Sequence, residues 1–443
     1  MIANTIHINE LIGGRIDPLQ FHPERMDVIR AIKRGTWKRL KDVAINVKAI
    51  TTTLSEGEIY VGLENIIGDT GEYISSNEKE TVSSAAKFKK GDILFPKLRP
   101  YLNKVHRAQF DGCCSTEFHV FEAKDIHPDF LTIMLRSNMV LAQTKHLMTG
   151  NTLPRLQTTD VENLLIPYPS IEIQRKIVEI YTNAQKDRIN KKQEAEKLLD
   201  SIDGYLLDIL KVDDALIMRK VKETIKNVSD LIGSRLDVSF YLDKFEMVST
   251  RYPNVRLSTV VDVDPSIKFN QLASDDTISF IPMECIDEKF GEISNYQEIT
   301  VAKTKGYTKF KENDLLWAKI TPCMQNGKSA IARNLTNGVG CGSTEYFVLR
   351  PKSDDLLIDY VYLVLRHKKV LEAAQSSFGG SAGQQRVSSH YLRSIRIPCP
   401  DIATQRTIIQ TVYGMKDNAK QLQKEGNTLL EKAKLDIEKM IMR

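Results

Sequence analysis

The run from Ile171 to Leu210, IEIQRKIVEIYTNAQKDRINKKQEAEKLLDSIDGYLLDIL, decides the fold. It follows Pro167-Tyr168-Pro169 and contains no proline. Apolar and small residues recur at Ile177, Tyr181, Ala184, Ala195, Leu198, Ile202, Tyr205 and Ile209, with Arg188 and Lys191 completing the series. Spacings that alternate four and three set these positions along one side of an α-helix. At ~1.5 Å rise per residue that helix is about 60 Å long.

The same stretch closes the chain. Ile397-Pro398-Cys399-Pro400 precedes Gln405-Arg406 as Ile166-Pro167-Tyr168-Pro169 precedes Gln174-Arg175. The second seam reads Ile408, Val412, Met415, Ala419, Leu422, Gly426, Leu429, Ala433, Asp436 and Met440. Two such helices need a partner surface, and each suits the other. An antiparallel pair with maximal overlap sets Ile177 against Met440, Ala184 against Ala433, Lys191 against Gly426 and Ala195 against Leu422. Tyr181 then meets Asp436, whose carboxylate can accept the phenol's hydrogen bond.

The repeat extends upstream. Leu11-Ile12-Gly13-Gly14-Arg15-Ile16-Asp17 matches Leu231-Ile232-Gly233-Ser234-Arg235-Leu236-Asp237. Phe88-Lys89-Lys90-Gly91-Asp92-Ile93-Leu94 matches Phe310-Lys311-Glu312-Asn313-Asp314-Leu315-Leu316. Ser115-Thr116-Glu117-Phe118 matches Ser343-Thr344-Glu345-Tyr346, and Leu135-Arg136 matches Leu365-Arg366. Internal repeats of this kind mean one structural unit used twice. The division is a first head at 1–165, a long helix at 166–211, a connector at 212–230, a second head at 231–396 and a second long helix at 397–443. Short alternating apolar runs near Tyr60 and Phe280 read as strands. One helix per head is expected, near Pro128 to Thr144 and Leu357 to Ala374. The fold class is α+β: two similar heads and a pair of long antiparallel coiled-coil helices, a tandem duplication with pseudo-twofold symmetry. Each head is expected to sit on a helical stalk, and the connector to be ordered.

Composition narrows the function. No apolar run reaches the ~18 residues that span a bilayer, and the opening residues lack a signal peptide's apolar core. A cytoplasmic protein with no membrane partner is expected. Six cysteines show no metal-ligand spacing, so reduced thiols are expected. The net charge of +5 permits an acidic partner without requiring one.

No catalytic constellation is visible. Phe378-Gly379-Gly380-Ser381-Ala382-Gly383 resembles a cofactor loop, but a strand follows it and the other copy has Met148-Thr149-Gly150-Asn151-Thr152. No Asn/Asp-Pro-Pro-aromatic motif exists. Asp287-Glu288-Lys289 faces Ile67-Gly68-Asp69 in the other copy and reads as a solvated turn. The histidines form no metal pattern.

Two stretches recur with nucleic-acid character. Between Lys87 and Phe110 seven cations stand against Asp92 alone, and Lys87, Lys89, Lys97, Arg99, Lys104 and Arg107, with Tyr101, are candidate DNA contacts. Between Lys303 and Asn334 seven cations stand against Glu312 and Asp314; there the candidates are Lys319, Gln325, Asn326, Lys328 and Arg333. Local cation excess fits phosphate contact, and Arg, Lys, Asn and Gln read base edges. A solvated face is the competing reading. The second stretch is the loop before each head's last strand: Asn151, Thr152 and Arg155, matched by Gln384, Gln385 and Arg386. The arginine there either caps a turn or touches DNA.

Two variable heads alternating with two long helices, each introduced by Ile-Pro-x-Pro and a Gln-Arg pair, resemble the specificity subunit of type I restriction–modification systems. The resemblance covers nearly the whole chain. It implies that each head is a target recognition domain for one half of a bipartite, asymmetric DNA target. It implies that the helices act as spacer and dock two modification subunits, which carry the adenine methyltransferase chemistry, and that restriction (translocase/nuclease) subunits join them. S-adenosylmethionine, ATP and Mg are then expected on those partners, with no cofactor, metal or catalysis in this chain. The competing readings are a DNA-recognition subunit of another defence or mobile-element system, and a helical-stalk protein scaffold.

Overall fold

A computed structural model describes residues 18–54, 57–75, 84–150, 152–213, 218–220, 243–245, 247–269, 271–375, 377–378 and 385–442. Both Gly-x-Arg openings and most of the 212–230 connector lie outside them. The chain divides into two compact units, Met1–Lys192 with Gln423–Arg443, and Gln193–Leu422.

The first unit begins with helix α1 (Pro23–Arg34). Two four-stranded sheets follow. One has the order Ala44–Val47, Phe118–Ala123, Ile93–Pro96, His106–Arg107, all antiparallel. The other has the order Ile50–Thr51, Ala85–Phe88, Gly112–Ser115, Tyr60–Val61, its last pair parallel. Strand Ile93–Pro96 is buried at all four positions, so its Ile-Leu-Phe run reads as continuous rather than alternating. Gly91, at φ +99°, makes the turn into it, and Asn313, at φ +66°, does so at the matching place. Gly and Asn are the residues that adopt this left-handed conformation most readily.

One helix per head was too few. Helix α2 (Pro128–Arg136) and α3 (Asn138–Lys145) are separate, because Ser137 is extended and caps α3 by accepting from the Val140 N–H. Asn103 Nδ2 donates to the Arg136 carbonyl at 3.0 Å, satisfying a helix-end acceptor. Helix α4 (Ile171–Leu210) then runs unbroken for 40 residues.

The second unit repeats this plan. Its sheets have the orders Val261–Val263, Tyr346–Pro351, Leu315–Ala318, Ser329–Ile331, and Gln297–Thr300, Thr277–Ile281, Val339–Gly342, Thr308–Lys311. The shared three-strand centre of the latter again includes one parallel pair, Ser279–Ile281 with Gly340–Gly342. The fourth strand differs: Ile50–Thr51 precedes the parallel pair in the chain and lies on Ala85–Phe88, whereas Gln297–Thr300 falls between the two parallel strands in the chain and lies on Thr277–Ile281. Helices α5 (Ile358–Leu365) and α6 (Lys368–Gln375) match α2 and α3. Helix α7 (Ile402–Ile441) closes the chain.

The long helices are antiparallel, and their ends are built into the cores of the heads. In the first unit Ile177 and Tyr181, near the start of α4, share a core with Leu430 and Ile437, near the end of α7. In the second, Leu206 and Leu210 share a core with Ile408 and Val412. The α7 seam differs from the expected one at alternate positions. Lys416, Leu430 and Ile437 are buried, while Met415 and Asp436 are half-buried and Leu429 is exposed. Shifting these positions by one residue turns Asp436 outward and Ile437 inward, which burial of apolar area favours. The register moves with it. Gly426 lies against the backbone of Arg188, not Lys191; a β-carbon there would be 3.2 Å from Arg188 Cα. Arg188 Nε donates to Asn427 Oδ1 at 3.1 Å, and Lys191 pairs with Glu425 at 2.7 Å. The Tyr181 hydroxyl is buried without a hydrogen-bond partner; it does not bond Asp436.

Candidate nucleic-acid interface

The two stretches read separately in each head meet in space. In the first head, strand Ile93–Pro96 ends at Lys97-Leu98-Arg99. This segment runs antiparallel to the returning loop: Arg99 N–H donates to the Pro154 carbonyl at 2.8 Å, and Leu156 N–H to the Lys97 carbonyl at 3.0 Å. The Lys97 N–H donates to the Glu117 carbonyl at 2.7 Å. Glu117 sits in a turn whose N–H bonds Ser115 Oγ at 3.2 Å. Arg155 closes the ring, forking onto the Glu117 carboxylate through Nε at 3.0 Å and Nη2 at 2.9 Å.

The second head has the same junction. Thr321 N–H donates to the Gln385 carbonyl at 3.0 Å, Val387 N–H to the Lys319 carbonyl at 2.9 Å, and Lys319 N–H to the Glu345 carbonyl at 2.9 Å. Glu345 N–H bonds Ser343 Oγ at 3.2 Å. Arg386 forks onto Glu345 through Nε at 2.8 Å and Nη2 at 2.7 Å. Both guanidiniums are held more firmly protonated by that hydrogen bond with the carboxylate. Each arginine thus ties its loop to the glutamate of the Ser-Thr-Glu turn. This leaves a planar cation fixed at the surface, with side chains 45% and 43% exposed. Glu117 and Glu345 were missed as site residues, although the repeated Ser-Thr-Glu carried the signal.

The remaining candidates scatter. Lys97 turns its ammonium back onto the Thr116 carbonyl at 2.7 Å, and burial lowers its pKa. Lys319 lies 4.9 Å over the Phe347 ring. Arg99 holds a left-handed conformation at the start of the turn bearing exposed Tyr101. Lys87 and Lys89 are exposed on a strand of the other sheet and its turn. Lys104 donates to the Leu63 carbonyl at 2.8 Å, and Arg107 pairs with Asp129. In the second head Lys328 donates to the Met283 carbonyl at 3.3 Å and pairs with Glu288 at 3.6 Å. Asn326 bonds the same Glu288 at 3.1 Å, and Arg333 Nη2 donates to both carboxylate oxygens of Asp359. Gln325 and Asn326 border a cleft of about 930 Å³ that Glu196, Arg366 and Lys416 also line. Thr152 is exposed and Gln385 half-buried at the junction. Asn151 and Gln384, like most of the Phe378–Gly383 loop, lie outside the described residues.

Other readings resolve plainly. The Asp287 carboxylate accepts from the Phe290 N–H at 2.5 Å, as a turn cap does. All six cysteines are free, and burial pushes the Cys113 and Cys341 thiols up to about 11. No helix among the described residues is long and apolar enough to cross a membrane.

Two copies of one α+β head, each docking a basic strand end on a loop arginine, define a duplicated, two-headed protein. The model of the type I restriction modification DNA specificity domain matches residues 35–199 and again 252–432, most of the chain, and the protein belongs to that family. It is 35% identical over 182 residues to the type I restriction enzyme EcoEI specificity subunit of Escherichia coli, covering 40% of this chain and 30% of that one. It is 35% identical over 180 residues to the EcoAI specificity subunit of the same organism, with the same coverage. The matched stretch thus spans under a third of these relatives' length. A solved structure bearing on complex assembly and conformational transition of the type I R-M system shares the fold. Its TM-score is 0.53 and its identity 18%, over 92% of this chain and 97% of that one.

Proposed function

We propose that this chain is the DNA sequence-recognition subunit of a type I restriction–modification complex, each head reading one half of a bipartite, asymmetric target. The observation that carries this is the repeated junction. In segments matching the DNA specificity family, both heads hold an exposed arginine beside a basic strand end and a polar loop. A fixed, forked cation can contact phosphate or the O6/N7 edge of guanine. Two heads of different sequence then read two different half-sites, and their base contacts add.

In this reading the chain performs no chemistry. The proposed partners are double-stranded DNA, two modification subunits carrying S-adenosylmethionine and the adenine methyltransferase chemistry, and restriction subunits using ATP and Mg. The long helices join the heads and offer the surface those subunits dock on. Methylome sequencing of a host with and without the gene tests it: a split, asymmetric methylated motif should appear only with the gene. Purified chain given S-adenosylmethionine and DNA should transfer no methyl group. Exchanging residues 231–396 for another second head should change one half-site alone. A methylome indifferent to the gene overturns the reading.

A further inference from the structure

The first head contains a cluster that DNA recognition does not use. Among the described residues, His22, Glu24 and His146 each bring a ligating atom to one place, all within 4.8 Å of one another. His22 is the N-cap of α1, Glu24 lies in its first turn, and His146 caps the C-terminus of α3. The two helices pack directly, tied by Arg25 Nε donating to the Gln143 carbonyl at 3.2 Å.

Three features of these side chains exceed what packing requires. Histidine at an N-cap ordinarily loses to Ser, Asp or Asn, because those accept a helix N–H; His22 makes no such bond. Its ring instead stacks on His146 with centroids 3.8 Å apart and planes 14° from parallel. A neutral imidazole has one ring nitrogen with a lone pair to offer a metal ion. The His22 Nδ1 atom is buried with no hydrogen-bond partner, which carries a desolvation cost. Glu24 supplies the anion. Its Oε2 lies 3.2 Å from His146 Nε2 and 3.0 Å from the Lys145 ammonium.

We infer that His22, Glu24 and His146 form a binding site for a divalent transition-metal ion of the zinc class. Two imidazoles and one carboxylate are the donor set such ions favour, while calcium and magnesium favour all-oxygen sets. Three protein ligands leave a position for water. The ion would tie the start of α1 to the end of α3. Lys145, 3.0 Å from Glu24, is the competitor it must displace. The site belongs to the first head alone, since no histidine occurs between Leu231 and Leu257 in the matching part of the second.

The test is calorimetric titration of the full chain with zinc chloride, paired with thermal unfolding. One zinc should bind per chain and raise the unfolding temperature, as binding to the native state must. His22→Ala and His146→Ala should each weaken binding by ~10-fold or more, by analogy with the loss on disturbing a ligand's support. Lys145→Ala removes no ligand and should tighten binding, because it frees the carboxylate. DNA binding should be unchanged in the lysine variant, which separates this inference from the proposed function. Absence of saturable zinc uptake, or uptake that ignores all three substitutions, overturns it.

Discussion

Arg155 clasps Glu117 with two parallel N–H···O bonds, and 231 residues later Arg386 clasps Glu345 in the same way. Ion pairs this exposed contribute little to folding, so stability alone does not account for their presence in both heads. If the arginines contact DNA, a charge swap separates roles. Glu117→Arg with Arg155→Glu should restore the loop's anchorage and the unfolding temperature. It should still lose affinity for the first half-site, because the cation has moved. The equivalent swap at Glu345 and Arg386 should spare the first half-site and impair the second. Full recovery of DNA affinity in the swaps would reduce the pair to a loop anchor.

The buried glutamine of each Gln-Arg pair is predicted to be a stability determinant. Gln405 Oε1 accepts from the Leu357 N–H at 2.9 Å, and its Nε2 donates to the Asp355 and Pro400 carbonyls at 2.9 Å each. Gln174 does the same for the His127 N–H and the Pro169 carbonyl. Gln405→Leu strands these backbone groups inside the protein, at about 1–3 kcal/mol for each left unsatisfied. Urea unfolding should show a loss of about 2 kcal/mol or more. Arg406→Ala, at an exposed position, should change stability little.

Much of this was legible in the sequence, and the limits have physical causes. The helix spans could be read because about forty residues without proline, repeated, outweigh local ambiguity. The alternate seam positions could not. Leu429 and Leu430 are adjacent, and only the partner's shape decides which enters. The break at Ser137 is a single capping residue inside an otherwise helical run. Leu135-Arg136 was visible as a repeat without a reason. The structure supplies one, because the Arg136 and Arg366 guanidiniums lie over Gly71 and Gly291, where a β-carbon would approach them to 2.2 and 2.5 Å. Basic residues could be counted but not aimed. Arg107 and Arg333 are taken up by Asp129 and Asp359, partners distant in sequence.

Glycines in the long helices should respond with opposite signs. Around Gly204 and Gly414 nothing lies within 4 Å of an added β-carbon. Replacing either with alanine should therefore stabilise by about 0.5–1 kcal/mol through helix propensity. At Gly426 the β-carbon would meet Arg188 Cα at 3.2 Å and its carbonyl oxygen at 3.3 Å. Both are backbone atoms, so the helices must part for a larger side chain. Gly426→Leu should cost about 1–3 kcal/mol, the range for overpacking. Equal responses at all three sites would contradict this register.

The last prediction concerns Lys416, a cation placed where the seam calls for an apolar residue. It is 6% exposed. Its ammonium donates to the Phe290 carbonyl at 3.0 Å and the Tyr362 hydroxyl at 2.8 Å, and it lies 4.6 Å over the Tyr362 ring. Burial drives its pKa down to about 7. Arg366 and Lys420 push the same way, against Glu292 and Asp287. In the unfolded chain the same lysine titrates near 10.5. Between these values the unfolded state holds a proton that the folded state has released, so this group makes stability rise with pH across that window. Below pH 7 both states are protonated and the burial penalty is constant. Buried cysteines act in the opposite sense above their ordinary value near 9.0, since folding raises their pKa. The measurement is therefore a difference between two proteins in which the thiols cancel. Urea midpoints of the natural chain and Lys416→Met should be compared at pH 7.0, 7.75 and 8.5. The substitution should stabilise most at pH 7.0, and its advantage should shrink as pH rises, by at most about 1.4 kcal/mol per pH unit. An advantage that does not change with pH would mean that Lys416 keeps its charge in the folded protein.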